Sequence, residues 1–250
     1  IRNFIIYDNN VKKICRYKQY FAVKKCMRRI LLQDGADTRN GVVWHTQGSG
    51  KTITMIMLTK MILRESMKPG SSIKRPRFVM VTDRIRDNFI HTQMSPHRAK
   101  TGKGLIELLK EDGNTVITAL VNKFEAAVKQ EYCNDSENIF VFIDEGHRTQ
   151  YGKLNIYMNR VLPNAVKIAF TGAPLMQKKP KDNKRDVMSA KDTYAKFGPL
   201  IDKYTLQYAI DDKVTVPIVY EGRVIPQTVT SEQINTHLKY ITVGLNEEAK

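Results

Sequence analysis

Short apolar runs alternate with longer apolar or amphipathic stretches from residue 41 to residue 170, and that alternation sets the expected elements. Gly41–Trp44 reads as a buried strand. Lys51–Glu65 reads as a helix whose apolar residues, from Ile53 through Met55, Ile56, Met57, Leu58, Met61 and Ile62 to Leu63, fall almost all round it. A helix that is apolar on nearly every side belongs deep against a sheet. Phe78–Thr82 predicts a strand and Arg84–Gln93 a helix; Thr115–Leu120 a strand and Phe124–Glu131 a helix. Ile139–Ile143, the most apolar run, predicts a strand followed by a helix over Leu154–Leu162, and Val166–Phe170 predicts a further strand. Such alternation implies right-handed βαβ units and an α/β fold with a mostly parallel, doubly wound sheet. Met67–Arg77, rich in Pro, Gly, Ser and positive charge, reads as a loop, and so does the basic, aperiodic Lys178–Lys191. Beyond Tyr194 the alternation weakens to a short helix around Leu206–Asp211 and an extended Val214–Tyr220.

Composition narrows the class. The chain has 250 residues, 42% apolar and 26% charged, which excludes a disordered tail, a collagen-like chain and a coiled coil. No apolar run approaches the ~18 residues that span a bilayer, and the first residues do not form a secretory signal. Cys15, Cys26 and Cys133 form no CxxC pair. On one helix, Cys15 and Cys26 would stand about 16 Å apart, too far for a disulfide, so the three read as reduced thiols of a cytoplasmic protein. Lys and Arg number 41 against 25 Asp and Glu, a formal charge of +16. That excess suggests a polyanion, nucleic acid before an acidic membrane surface, with a merely solvated Lys-rich surface as the alternative. The chain starts without Met and ends at Leu245–Lys250 without a cap or turn, so a piece of a longer protein is expected.

Three polar turns carry the chemistry. Trp44–Thr52 (WHTQGSGKT) follows a strand and opens a helix. Gly48 and Gly50 let the backbone turn so that amide N–H groups from Thr46, Gln47, Ser49 and their neighbours face phosphate oxygens, with the helix dipole behind them. Lys51 would lie between the β- and γ-phosphates, and Thr52 would ligate Mg²⁺. The strict pattern has Gly where this chain has His45, to which no chemistry is assigned. Phe140–His147 sets Asp144 and Glu145 at the end of a buried strand, where ligands bind in open α/β sheets. There Asp144 can hold Mg²⁺, Glu145 can deprotonate water, and His147 can sense the γ-phosphate. Thr171, in Ile168–Pro174, would lie beside the acidic pair if the two strands are neighbours. Trp44 reads as core, and His91 and His97 as surface histidines.

In this order, Arg16–Gln19 (RYKQ), Gln47–Thr52 (QGSGKT), Asp144–His147 (DEGH) and Thr171–Pro174 (TGAP) resemble superfamily 2 helicases and translocases. His45–Thr52, Asp144–Gly152 (DEGHRTQYG), Asp192–Gly198 (DTYAKFG), Tyr208–Asp212 and Val216–Arg223 are similar to the R (restriction, motor) subunit of type I restriction enzymes. The resemblance covers roughly residues 1–225. It implies a RecA-like P-loop ATPase domain using ATP and Mg²⁺, with Gln19 reading the adenine edge and Arg16 nearby. It further implies that Lys51, Asp144 and Glu145 are catalytic and that Thr171 couples hydrolysis to movement. Arg84, in Val81–Arg84, and Lys123, in Ala119–Phe124, fall where that family contacts the DNA backbone, although Ala119-Leu120 stands where two threonines are usual.

The expected organisation is an entry and adenine-motif helix over 1–40, a first RecA-like domain over 41–192 and a connector over 193–250. A nuclease domain upstream and a second RecA-like domain downstream would complete such a motor. Alone, the chain is therefore expected to bind ATP, hydrolyse it slowly, and neither translocate on nor cut DNA. Duplex DNA and the methyltransferase and specificity subunits are the implied partners, with no membrane. The alternatives are another superfamily 2 motor, such as an RNA helicase or remodeller, and a non-catalytic nucleic-acid-binding module; intact Lys51, Thr52, Asp144 and Glu145 argue against the latter.

Overall fold

The computed structural model describes residues 4–8, 11–32, 39–82, 96–111, 113–145, 151–174 and 193–217. By compactness the chain divides into 1–216 and 217–250, and every described residue except Pro217 belongs to the first unit. The elements of that unit, in chain order, are β1 (Ile5–Asp8), β2 (Val11–Ile14), α1 (Tyr17–Ile30), β3 (Gly41–His45), α2 (Lys51–Ser66), β4 (Arg77–Val81), β5 (His97–Arg98), α3 (Gly102–Lys110), β6 (Val116–Ala119), α4 (Val121–Lys129), β7 (Ile139–Asp144), α5 (Tyr151–Val161), β8 (Val166–Thr171), α6 (Thr193–Phe197), β9 (Leu200–Tyr204) and α7 (Leu206–Asp211).

β1 and β2 form a separate antiparallel hairpin. The other seven strands form one sheet in the order β5-β6-β4-β7-β8-β3-β9, every neighbouring pair parallel. Parallel pairing requires crossovers, and the helices that make them cover both faces. On one face α1 and α2 bury Ala22, Val23, Cys26, Met55, Ile56 and Leu58 against Val43, Phe140, Phe142 and Phe170. On the other face α3, α4 and α5 bury Leu105, Phe124 and Met158 against Val79, Val141 and Ala169. α2 is the helix expected to lie deepest: Thr54 to Thr59 are buried without interruption. In β7, the central strand, Ile139 to Ile143 have no exposed surface.

The strands and helices expected between residues 41 and 170 appear within a few residues of their expected ends, as does α7; the helix expected over Arg84–Gln93 lies outside the described residues. The sequence pattern did not show α3 or β9. α3 is nine residues long, carries two glycines, and starts on Thr101, whose hydroxyl accepts the Gly104 N–H at 2.9 Å. β9 is an edge strand with two charged residues in five, so its run does not look buried; Asp202 and Tyr204 are buried while Leu200 and Lys203 are exposed. β9 pairs with β3 as the seventh strand of the sheet, and its residues lie in the stretch 193–250 read as a connector.

Candidate functional site

The phosphate loop grows out of β3. Thr46 N–H donates to Tyr204 O on β9 (2.9 Å), Ser49 N–H closes back on Thr46 O (3.2 Å), and Thr54 N–H bonds Gly50 O (3.1 Å), which starts α2. Gly48 (φ 79°) and Gly50 (φ 84°) occupy the left-handed region that the turn requires. The two glycines differ in surroundings. Among the described residues a Cβ at Gly48 would meet nothing within 4 Å; one at Gly50 would stand 2.4 Å from Gln19 Nε2.

Gln19 explains that closeness. Its carboxamide nitrogen donates to Ser49 O (3.3 Å) and Gly50 O (3.2 Å), and its oxygen accepts Arg16 N–H (2.8 Å). The first turn of α1 is thus fastened to the exit of the loop.

The sheet order brings the other groups in. β8 lies between β3 and β7, pairing Trp44 with Thr171 and Asp144 with Phe170. Asp144 and Glu145 therefore end one strand away from the phosphate loop, with buried Thr171 between, as expected if the strands were neighbours. Lys51, on the first residue of α2, is 8% exposed, and its Nζ lies 3.2 Å from Glu145 Oε1. Glu145 has φ 55°, which costs a non-glycine residue about 1 kcal/mol and turns its carboxylate off the strand end onto Lys51. The Thr171 turn touches the loop directly: a Cβ on Gly172 would come within 3.2 Å of Gln47 N. The Trp44 indole N–H donates to Gly172 O at 3.1 Å. Trp44, expected as core, is half-buried and ties the loop strand to this turn.

Lys123 is half-buried in the first turn of α4, after β6 and two strands from the acidic pair. Arg84 and His147 lie outside the described residues, as does the basic loop Lys178–Lys191.

Groups without an assigned role stand behind the loop. His45 is fully buried, with Nε2 2.7 Å from Asp202 Oδ2, and Lys25 Nζ donates to Asp202 Oδ1 at 2.6 Å. Burial alone would raise the Asp202 carboxyl; the bonds from His45 and Lys25 outweigh it and hold the group below the ordinary carboxylate value. At the end of α7, Asp212 accepts from the Tyr17 hydroxyl and from Tyr204 Oη (2.7 Å), and these bonds lower its carboxyl. Lys18 Nζ lies 3.9 Å over the Tyr204 ring, and burial pushes its ammonium down. The one sequence signal for this region was His45 itself, since a buried imidazole in a glycine position needs a partner.

The residues present fit a nucleoside triphosphate. Among the described residues nothing stands within 4 Å of a Cβ at Gly48 and the buried Ser49 hydroxyl has no hydrogen-bond partner, and the buried Lys51 cation stands at the head of α2 against Glu145. Among the described residues no group of three or more His, Cys, Asp or Glu could hold a metal. Thr52 with Asp144 would suit Mg²⁺, which takes few protein ligands and keeps several waters.

With β8 between the loop strand and the acidic strand, this parallel sheet flanked by helices is that of a RecA-like α/β domain. Residues 18–250 match the SWI2/SNF2 ATPase family, and the chain belongs to that family. Its curated relatives are endonuclease subunits of type I restriction enzymes. A Methanocaldococcus jannaschii chain assigned as the MjaIXP endonuclease subunit is 32% identical over 256 residues, covering 97% of this chain and 23% of that protein. The HindI endonuclease subunit of Haemophilus influenzae is 31% identical over 255 residues, covering 88% and 23%. The chain thus spans about a quarter of the length of these relatives. Among solved structures, a nuclease-deletion mutant of the Type ISP restriction-modification enzyme LlaGI, in complex with a DNA substrate mimic, is similar with a TM-score of 0.56 at 14% identity. That likeness, over 81% of this chain and 21% of the other, is one of fold. No described helix is long and apolar enough to cross a membrane.

Proposed function

We propose that this chain is the ATP-binding lobe of the R subunit of a type I restriction enzyme, working in the cytoplasm on duplex DNA beside methyltransferase and specificity subunits. The observation that carries the reading is the Lys51–Glu145 pair, which brings the phosphate loop and the acidic strand end to one point. The R-subunit relatives support the rest.

Bound ATP with Mg²⁺ would supply the electrophilic phosphorus and its leaving group. The amides of Gln47, Gly48, Gly50 and Lys51 bind the phosphates, Thr46 N–H being taken by Tyr204 O and Ser49 N–H by Thr46 O, and Lys51 exchanges the Glu145 carboxylate for phosphate oxygen. Thr52 and Asp144 would hold the metal. Glu145, freed from Lys51, takes the proton of the attacking water at a carboxylate oxygen. Gln19 donates to an adenine edge only by giving up a bond to the loop, because both its N–H groups are engaged, whereas its oxygen, which accepts Arg16 N–H, has a second lone pair for an adenine N–H. His147 relays the state of the γ-phosphate. Thr171, in the turn against Gln47, carries the change of state from the loop to the rest of the motor. Arg84 and Lys123 contact the DNA backbone. In the complete enzyme, a second RecA-like lobe and a nuclease domain turn hydrolysis into translocation and cleavage, and the 250 residues alone turn over slowly.

The test is Mg·ATP binding and hydrolysis by the 250-residue chain and its Lys51→Ala variant, with duplex DNA or RNA added. The variant is expected to bind at least about 100-fold more weakly, and duplex affinity to fall steeply with salt. Unchanged nucleotide binding would refute the ATPase site. Stimulation by RNA but not by duplex DNA would replace the restriction reading with an RNA motor.

A further inference from the structure

The phosphate loop begins on a residue that its own pattern does not use. A strict loop has glycine at position 45; here the position holds a histidine with no exposed surface. An imidazole in a core is tolerated only with a hydrogen-bond partner, and its partner comes from the edge strand β9. The register pairs Val43 with Asp202 and His45 with Tyr204, so in this parallel pair the side chains of Asp202 and His45 share one face of the sheet, two residues apart. That face is covered by α1, from which Lys25 reaches the other Asp202 oxygen. An ionised carboxylate only accepts, so His45 donates through Nε2 and Lys25 through Nζ. Both oxygens of a buried carboxylate are used, one by the residue on which the loop starts and one by α1.

α1 also holds the other end of the loop, because Gln19 bonds Ser49 O and Gly50 O. One helix thus grips both ends of the phosphate loop: at the exit through Gln19, at the entrance through Lys25, Asp202 and His45. The loop amides can meet phosphate only if the backbone between these two points keeps its shape before the ligand arrives, and preorganisation of that kind is what makes an anion site strong.

We infer that Lys25, Asp202 and His45 are positioning residues for nucleotide binding: a buried relay that fixes the entrance of the phosphate loop from the helix that also fixes its exit. The inference rests on the ATP-binding reading above and extends it to three residues that touch no phosphate. Asp202 is the centre of the relay. Lys25, half-exposed, contributes least, because water replaces its partner when it is removed.

The experiment measures the affinity of the 250-residue chain for a fluorescent methylanthraniloyl derivative of ATP with Mg²⁺, together with the melting midpoint, for Asp202→Ala, His45→Ala, their double variant, Asp202→Asn and Lys25→Met. Leu105→Ala, a core truncation under α3 on the other face of the sheet, is the control for destabilisation alone. Asp202→Ala and His45→Ala are each expected to weaken nucleotide binding at least tenfold. The double variant should lose no more than the worse single one, since the two act as a unit. Asp202→Asn, which keeps an acceptor for His45, should recover most of the affinity, Lys25→Met should lose two- to threefold, and Leu105→Ala should melt lower and bind normally. Where Asp202→Ala does not fold, Asp202→Asn and His45→Ala carry the test. Affinities of the Asp202 and His45 variants within twofold of the parent, or losses that merely follow the melting midpoint as Leu105→Ala does, overturn the positioning role while Lys51→Ala still abolishes binding. Normal binding by Lys51→Ala overturns the positioning role together with the nucleotide reading on which it rests.

Discussion

Glu145→Gln should move binding and hydrolysis in opposite directions. Lys51 Nζ and Glu145 Oε1 stand 3.2 Å apart, the lysine 8% and the glutamate 23% exposed. At an effective dielectric of about 20 the Coulomb attraction over that distance is about 5 kcal/mol. Most of it offsets desolvation, and a pair intermediate between surface and core nets about 1 kcal/mol. Nucleotide must displace the carboxylate to reach Lys51, so it meets this net term on binding. Gln is isosteric and neutral, and it removes the term together with the repulsion between a carboxylate and the γ-phosphate. Mg·ATP should therefore bind about fivefold or more tightly to the variant, because 1 kcal/mol is a factor of about five. Hydrolysis should fall by at least about 100-fold, since an amide cannot take a proton from water. Calorimetric titration of both chains with Mg·ATP reads the first effect, and phosphate release under single-turnover conditions reads the second. If Glu145→Gln binds as poorly as Lys51→Ala, the pair is a structural strut; if it hydrolyses ATP at the parent rate, Glu145 is not the base.

Other outcomes follow from the same geometry. Gly50→Ala should lose nucleotide affinity by at least about tenfold, because it strains a residue at φ 84° and drives a Cβ into Gln19 Nε2; titration with Mg·ATP checks this, and normal affinity would mean that Gln19 does not hold the loop. The Asp202 carboxyl is held below its ordinary 3.8, so its ionised form stabilises the fold in full above that pH, and the contribution disappears as pH falls below it. Urea midpoints of the parent and Asp202→Asn should accordingly differ at pH 6 and converge as the pH drops below 3.8; a constant gap would assign the loss to packing. Phe142→Ala removes a ring with no exposed surface that lies 5.9 Å from the Phe170 ring and 6.2 Å from Phe78, and should cost about 3–5 kcal/mol in urea unfolding.

Local chemistry determined much of this protein from the sequence by itself. Glycine spacing, a Lys-Thr pair at the head of an apolar helix and two carboxylates after an apolar strand need only a few neighbouring residues to be legible, and each falls on the element expected for it. The alternation of strand and helix was equally plain from Gly41 to Phe170, because buried parallel strands are continuous apolar runs. Strand order was not legible. Nothing in Ile168–Pro174 says that its strand passes between the loop and the acidic pair, and pairing is decided by which faces bury the most surface across many residues. β9 was hidden for the opposite reason: an edge strand buries half its side chains, so Asp202 and Lys203 look like surface charges in sequence. Only the tertiary structure turns Asp202 into the buried partner of His45, since their separation of more than 150 positions along the chain becomes 2.7 Å when β9 pairs with β3. Motifs are short-range and were written in the sequence, whereas the supports that hold them in place are long-range contacts and were set by the folded sheet.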